Sequence, residues 1–181
     1  MPQAEKLRRT VVLVGMMGAG KTAVGTVMAR LLSVPFLDSD EELGRAAQMS
    51  VSEIFARDGE TFFRARESEV LLRLLAGPPV ILSTGGGAFL AAGNRAMIAA
   101  RGVSVWLRVD LEILWQRVRH KTTRPLLRTP DPKATLTDML AARAPFYAQA
   151  DLSVEAEADL PIEAMATKVI AALVQHGDVS A

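Results

Sequence analysis

Residues 15–22 read GMMGAGKT, with glycine, glycine, lysine and threonine at the spacing G-x-x-x-x-G-K-[ST]. That spacing suits phosphate. Glycines let the backbone wrap so that its N–H groups face phosphate oxygens, and the positive end of a following helix points at the same anion. Gly18, Ala19 and Gly20 would form the cradle, Lys21 would reach the β- and γ-phosphates of a nucleotide, and the Thr22 hydroxyl would coordinate Mg²⁺. A glycine-rich turn with an incidental lysine is the bland alternative. A β-branched run before the motif (VVLVG, 11–15) and a helical pattern after it argue against that.

Twenty residues on, VPFLDSDE (34–41) ends an apolar run with two carboxylates, Asp38 and Asp40. If the strand continues through them, side chains alternate faces and both aspartates point the same way. A phosphate-binding loop needs a carboxylate at a nearby strand end to help hold Mg²⁺, a role that fits Asp38. Asp40, beyond the metal, could then orient an attacking hydroxyl or accept its proton. Alternatively Asp40 caps the helix that DEELGRAA begins.

Further along, Arg64 and Glu67 lie three apart on a helical pattern, with Glu60 on the same stripe, as in many surface ion pairs. Gly85-Gly86-Gly87 closes a strand pattern, either as a turn or to let backbone approach a ligand. Arg143 precedes Ala144-Pro145 near a helix end, and Arg124 sits in the polar, proline-rich stretch HKTTRPLLRTPDPK (120–133). Residues 119–131 carry Arg119, Lys121, Arg124 and Arg128 with little apolar surface, the composition of a mobile lid that closes over bound phosphate.

The elements that must position these groups alternate. Strand patterns at 11–15, 34–38, 80–84, 103–109 and 152–155 are separated by helical ones from Lys21, a short helix after the Ser50/Glu53 capping box, 60–76, 94–101, 110–119, 136–150 and 161–176. Nearly all-apolar strands joined by helices imply a parallel sheet covered on both faces. At 181 residues, half of them hydrophobic, one domain over 1–181 is expected. The net charge of +1 offers no basic field for nucleic acid, so an anionic ligand needs a local site. With no cysteine and two histidines, disulfides, thiolate sites and a typical zinc centre are excluded. The polar start and the lack of a long apolar run lead us to expect no membrane partner, a cytoplasmic location and a monomer.

Taken in order and spacing, GMMGAGKT, DSD (38–40), FFRARE (62–67), STGGG (83–87), TTRPLL (122–127) and ARAPFY (142–147) resemble the shikimate kinases along nearly the whole chain. The resemblance implies an α/β P-loop kinase of the nucleoside-monophosphate-kinase-like architecture. Its five-stranded parallel sheet would be flanked by helices, with substrate-binding helices at about 39–67 and a mobile lid at about 119–131. It implies transfer of phosphate from ATP, with Mg²⁺, to the 3-hydroxyl of shikimate. In that reading Asp40 is catalytic with Lys21 and Arg124; Thr22 and Asp38 hold the metal. Arg64, Arg143 and the three glycines 85–87 bind shikimate, with Phe55 and Phe63 flanking that pocket, while Arg117 and Pro161 lie at the adenine. Ala23 replaces a second hydroxyl common in the family, which is expected to weaken nucleotide binding, and Asp159 stands where some members have basic or polar residues. Two alternatives remain: a kinase for another small hydroxy acid such as gluconate, and a nucleotide-binding module without turnover. No N-K-x-D guanine motif occurs.

Overall fold

A computed structural model describes residues 5–121 and 127–180. Five strands form one parallel sheet in the order β3-β4-β2-β5-β6: β2 (Thr10–Val14), β3 (Phe36–Asp38), β4 (Ile81–Ser83), β5 (Gly102–Arg108) and β6 (Leu152–Glu155). β2 is central, with Val11 facing Ile81 on β4 and Val103 on β5. Val11 to Val14 are all buried, which explains why these strands show no polar alternation. The helices α1 (Lys21–Leu32), α2 (Ser39–Ala47), α3 (Val51–Leu75), α4 (Ala92–Arg101), α5 (Leu111–Val118), α6 (Pro132–Tyr147) and α7 (Ile162–His176) complete the fold, with a 3₁₀ turn at Ala88–Leu90. The P-loop follows β2, Asp38 ends β3 and the triple glycine follows β4. The candidate residues therefore collect at the carboxyl ends of the strands, where open α/β sheets bind ligands.

Local signals account for most boundaries. Ser50 accepts from the Glu53 N–H at 3.1 Å while the Glu53 carboxylate receives the Ser50 N–H at 3.4 Å, so the expected capping box is formed. The two helices read at 50–56 and 60–76 run together as α3 but break at Gly59, whose φ of 83° and ψ of 174° leave the helical region. α6 begins earlier than expected, at Pro132, because Asp131 caps it by accepting from the Ala134 N–H. α1 buries Val24, Met28 and Leu32 as its periodicity suggests, but Leu31 is 45% exposed.

One element had no sequence signal. β1 (Lys6–Leu7) pairs antiparallel with β7 (Val179–Ser180), joining the two ends of the described chain. Between them Asp178, almost fully buried, receives Arg9 Nε at 2.6 Å on one oxygen and meets His176 Nδ1 at 2.5 Å on the other.

Candidate active site

The P-loop leads from β2 into α1 through Gly20, whose left-handed φ of 94° caps the helix without any side-chain acceptor. The first helical N–H groups thus face the cleft, where an anion can satisfy them. Lys21 Nζ donates to the carbonyls of Gly15 at 2.6 Å and Met16 at 3.1 Å, which holds the ammonium over the loop. Arg117, from α5, donates to the Gly18 carbonyl at 3.0 Å and lies along the same loop.

The two aspartates converge, but not by strand alternation. β3 stops at Asp38, and Asp40 lies in the first turn of α2. The cap is also Asp38 rather than Asp40: Asp38 Oδ1 accepts the N–H groups of Asp40 at 2.9 Å and Glu41 at 3.2 Å. A capping carboxylate thus lies beside a helical one, and both line the same cavity. Burial, then the neighbouring charges of Asp38 and Glu67, push the Asp40 carboxyl from 3.8 up to about 6, while Lys21 and Arg64 pull it down.

Each of the three glycines after β4 lies against a different polar side chain. A Cβ at Gly85 would come 2.8 Å from Asp40 Oδ2, one at Gly86 2.6 Å from Arg143 Nη1, and one at Gly87 2.6 Å from Arg64 Nη1. These are overlaps with functional groups, so here glycine supplies space. Arg64 is steered by Glu67, whose two oxygens lie 2.9 and 3.2 Å from Arg64 Nη1. Glu67 is buried, and that burial raises its carboxyl above the ordinary value although Arg64 opposes the rise. Arg143 comes from α6, as does Tyr147, whose hydroxyl donates to the Gly86 carbonyl at 2.6 Å. Burial raises the Tyr147 phenol, with Arg143 working against it.

All these groups line one cleft of about 1270 Å³: Gly18 to Thr22, Asp38, Asp40, Phe55, Phe63, Arg64, Gly85 to Gly87, Arg117 and Arg143. Phe55 and Phe63 pack at 4.3 Å between ring centres, their planes tilted by 35°, along one wall. Pro161 precedes α7, and its neighbours Leu160 and Ile162 line the cleft in its place, together with Ala156, Glu157 and Met165. Sequence reasoning missed this last group, because isolated residues between β6 and the first turn of α7 carry no local pattern. Ala23 also faces the cleft. Arg124, and residues 122–126 of the expected lid, lie outside the described residues. Lys121 lines the cleft and Leu127 is buried.

The residues that could hold a metal are Thr22 and Asp38, whose hard oxygens belong to residues lining the same cleft as the phosphate-binding loop. Asp38 Oδ1 is committed to helix N–H groups, which leaves Oδ2 outside the cap. One carboxylate and one hydroxyl fit Mg²⁺, which keeps waters and phosphate oxygens for its other positions.

A nucleotide-phosphate cradle on the central strand, facing carboxylates at the next strand end and arginines beyond, defines a P-loop kinase. The family model described as Shikimate kinase matches residues 17–174. The shikimate kinase of Cereibacter sphaeroides is 64% identical over 174 residues, covering 96% of this chain and 87% of that one. That of Ruegeria pomeroyi is 62% identical, with 97% and 90% covered. The structure of Acinetobacter baumannii shikimate kinase in complex with shikimate superposes with a TM-score of 0.86 at 37% identity, covering 93% of this chain and 94% of the other. The chain belongs to the shikimate kinase family.

Proposed function

We propose that the chain transfers the γ-phosphoryl group of ATP to the 3-hydroxyl of shikimate, giving ADP and shikimate 3-phosphate. The observation that carries this reading is the triple glycine, which packs half-buried Asp40 and two arginines from different helices against a single backbone turn. That arrangement suits an acceptor with a hydroxyl at one end and a carboxylate at the other. The full-length likeness to shikimate kinases favours shikimate over gluconate.

The residue roles in this reading join the family resemblance to the geometry of the cleft. The P-loop N–H groups and Lys21 bind the nucleotide phosphates, and Arg117 flanks the loop where the base end of the nucleotide emerges. Ala156, Leu160, Ile162 and Met165 give that end an apolar wall. Arg64 and Arg143 grip the shikimate carboxylate, since a planar guanidinium offers two parallel hydrogen bonds. The hydroxyl then lies at Asp40. As the new O–P bond forms and ADP leaves, Asp40 takes the hydroxyl proton; a carboxyl raised to about 6 is still mostly ionised at neutral pH yet basic enough to accept it. Bound at Thr22 and Asp38, Mg²⁺ would neutralise charge on the phosphates. Arg124 is assigned by resemblance to the transferring group.

A coupled ADP-release assay tests this directly. Turnover with ATP, Mg²⁺ and shikimate, lost on chelation and absent with gluconate, is the expected result. Faster turnover with gluconate would replace the acceptor, and ADP release independent of any acceptor would remove the kinase reading.

A further inference from the structure

Building on the proposed function, we infer that Asn94 and Ser68 are positioning residues for the shikimate carboxylate, setting the distance between Arg64 and the glycine loop. Asn94 lies on α4, outside the cleft, and is 2% exposed. An amide is costly to bury unless both its ends are satisfied. Both are. Its Nδ2 donates to the Ala88 carbonyl at 2.9 Å, and its Oδ1 accepts from the Ser68 hydroxyl at 2.8 Å. The orientation is forced, because a backbone carbonyl only accepts and so must face the NH₂ end.

These bonds close a ring. Ser68 lies one turn beyond Arg64 on α3, directly after Glu67, the carboxylate that holds the guanidinium. Ala88 follows Gly87, the residue over which that guanidinium lies. The path Arg64, α3, Ser68, Asn94, Ala88, Gly87 therefore returns to Arg64. No other hydrogen-bonded side chain joins α3 to this loop among the bonds described. The neighbouring Arg95 fixes the next part of the turn, donating to the carbonyls of Phe89 and Leu90 at 2.8 Å each. Its guanidinium also lies over the Phe146 ring of α6. The loop backbone is thereby held from α4, while the P-loop is touched by none of these bonds.

The selective consequence is a split in the kinetics. Asn94→Ala and Ser68→Ala should each raise the KM for shikimate about tenfold, the scale of one buried hydrogen bond. The KM for ATP and kcat should stay near the parent values. Ser68→Thr keeps the hydroxyl and should restore the parent KM, and the Asn94→Ala/Ser68→Ala pair should be no worse than Asn94→Ala alone, since both break one chain. Should Asn94→Ala fail to fold, half-buried Ser68 decides by itself. An unchanged shikimate KM in Ser68→Ala, or equal rises for both substrates, overturns the inference while leaving the proposed function intact. Failure of the parent protein to phosphorylate shikimate overturns both.

Discussion

The two ends of the cleft are built in opposite ways. At the nucleotide end the phosphate cradle is one continuous segment, the strand, loop and helix of residues 10–32, in which the loop glycines supply conformation. Gly18 and Gly20 have φ of 80° and 94°, accessible to glycine at little cost. The acceptor end is assembled from α2, α3, the turn after β4 and α6, and its glycines 85–87 have no left-handed φ but stand where any Cβ would strike Asp40, Arg143 or Arg64. One end is backbone chemistry held locally; the other is side-chain chemistry held by packing between distant segments. Damage to the first should appear in ATP binding, and damage to the second in acceptor binding.

Asp40, which borders both ends, should give the largest effect. Asp40→Asn should leave fold and ATP binding intact and cut kcat by ~10²–10⁴-fold, the usual worth of a positioned acid–base group. Near-normal kcat would leave Asp40 a structural residue of the α2 first turn. Gly87→Ala comes next: its methyl displaces the Arg64 guanidinium, so the shikimate KM should rise by about 10–100-fold, one to two lost charge-assisted hydrogen bonds, with ATP affinity preserved. An equal loss on the ATP side, read by nucleotide titration, would break the division between the two ends.

Arg143→Lys should act in the same direction but less, about tenfold in shikimate KM, because lysine keeps the charge and loses the fork. A defect confined to ATP would reassign Arg143 to the nucleotide. The smallest effect concerns stability. The folded Asp40 carboxyl holds its proton more tightly than the unfolded one, 3.8 rising to about 6. Its contribution is therefore fully present below 3.8 and lost as pH rises through about 6. Comparing urea midpoints at pH about 4 and about 7, the parent should lose more stability than Asp40→Asn across this interval. Identical changes would show that the Asp40 carboxyl is not the source.

The same contrast governs what the sequence reveals. The P-loop is readable because its residues are neighbours in the chain, and so are the capping box at Ser50 and Glu53 and the apolar strands of the parallel sheet. Strand alternation predicts the convergence of Asp38 and Asp40, but the strand ends at Asp38 and a helix turn brings Asp40 to the cavity. By local pattern alone Arg64 and Arg143 are ordinary surface arginines; what singles them out in space is the glycine loop between them, supplied by another part of the chain. Ser68 and Asn94 carry no signal, and Tyr147 only its place in ARAPFY, since a polar network is defined by its partners in space. The apolar wall from Ala156 to Met165 and the β1–β7 pair were likewise invisible, the second because two-residue strands have no period.

That terminal pair has a mechanical consequence. Lys6 faces Ser180 and Leu7 faces Val179, so both chain ends leave the ladder at the same side. Tension applied between the ends would load its hydrogen bonds one after another, as in a zipper, rather than all together as in shear. The next resistance would be the Arg9–Asp178–His176 contact. An unfoldase pulling on the carboxyl end would thus peel away β7 at low force and then draw directly on α7, whose first turn walls the cleft. Extraction would begin at the terminal ladder and the last turn of α7, reaching the cleft-lining first turn only as the helix came away.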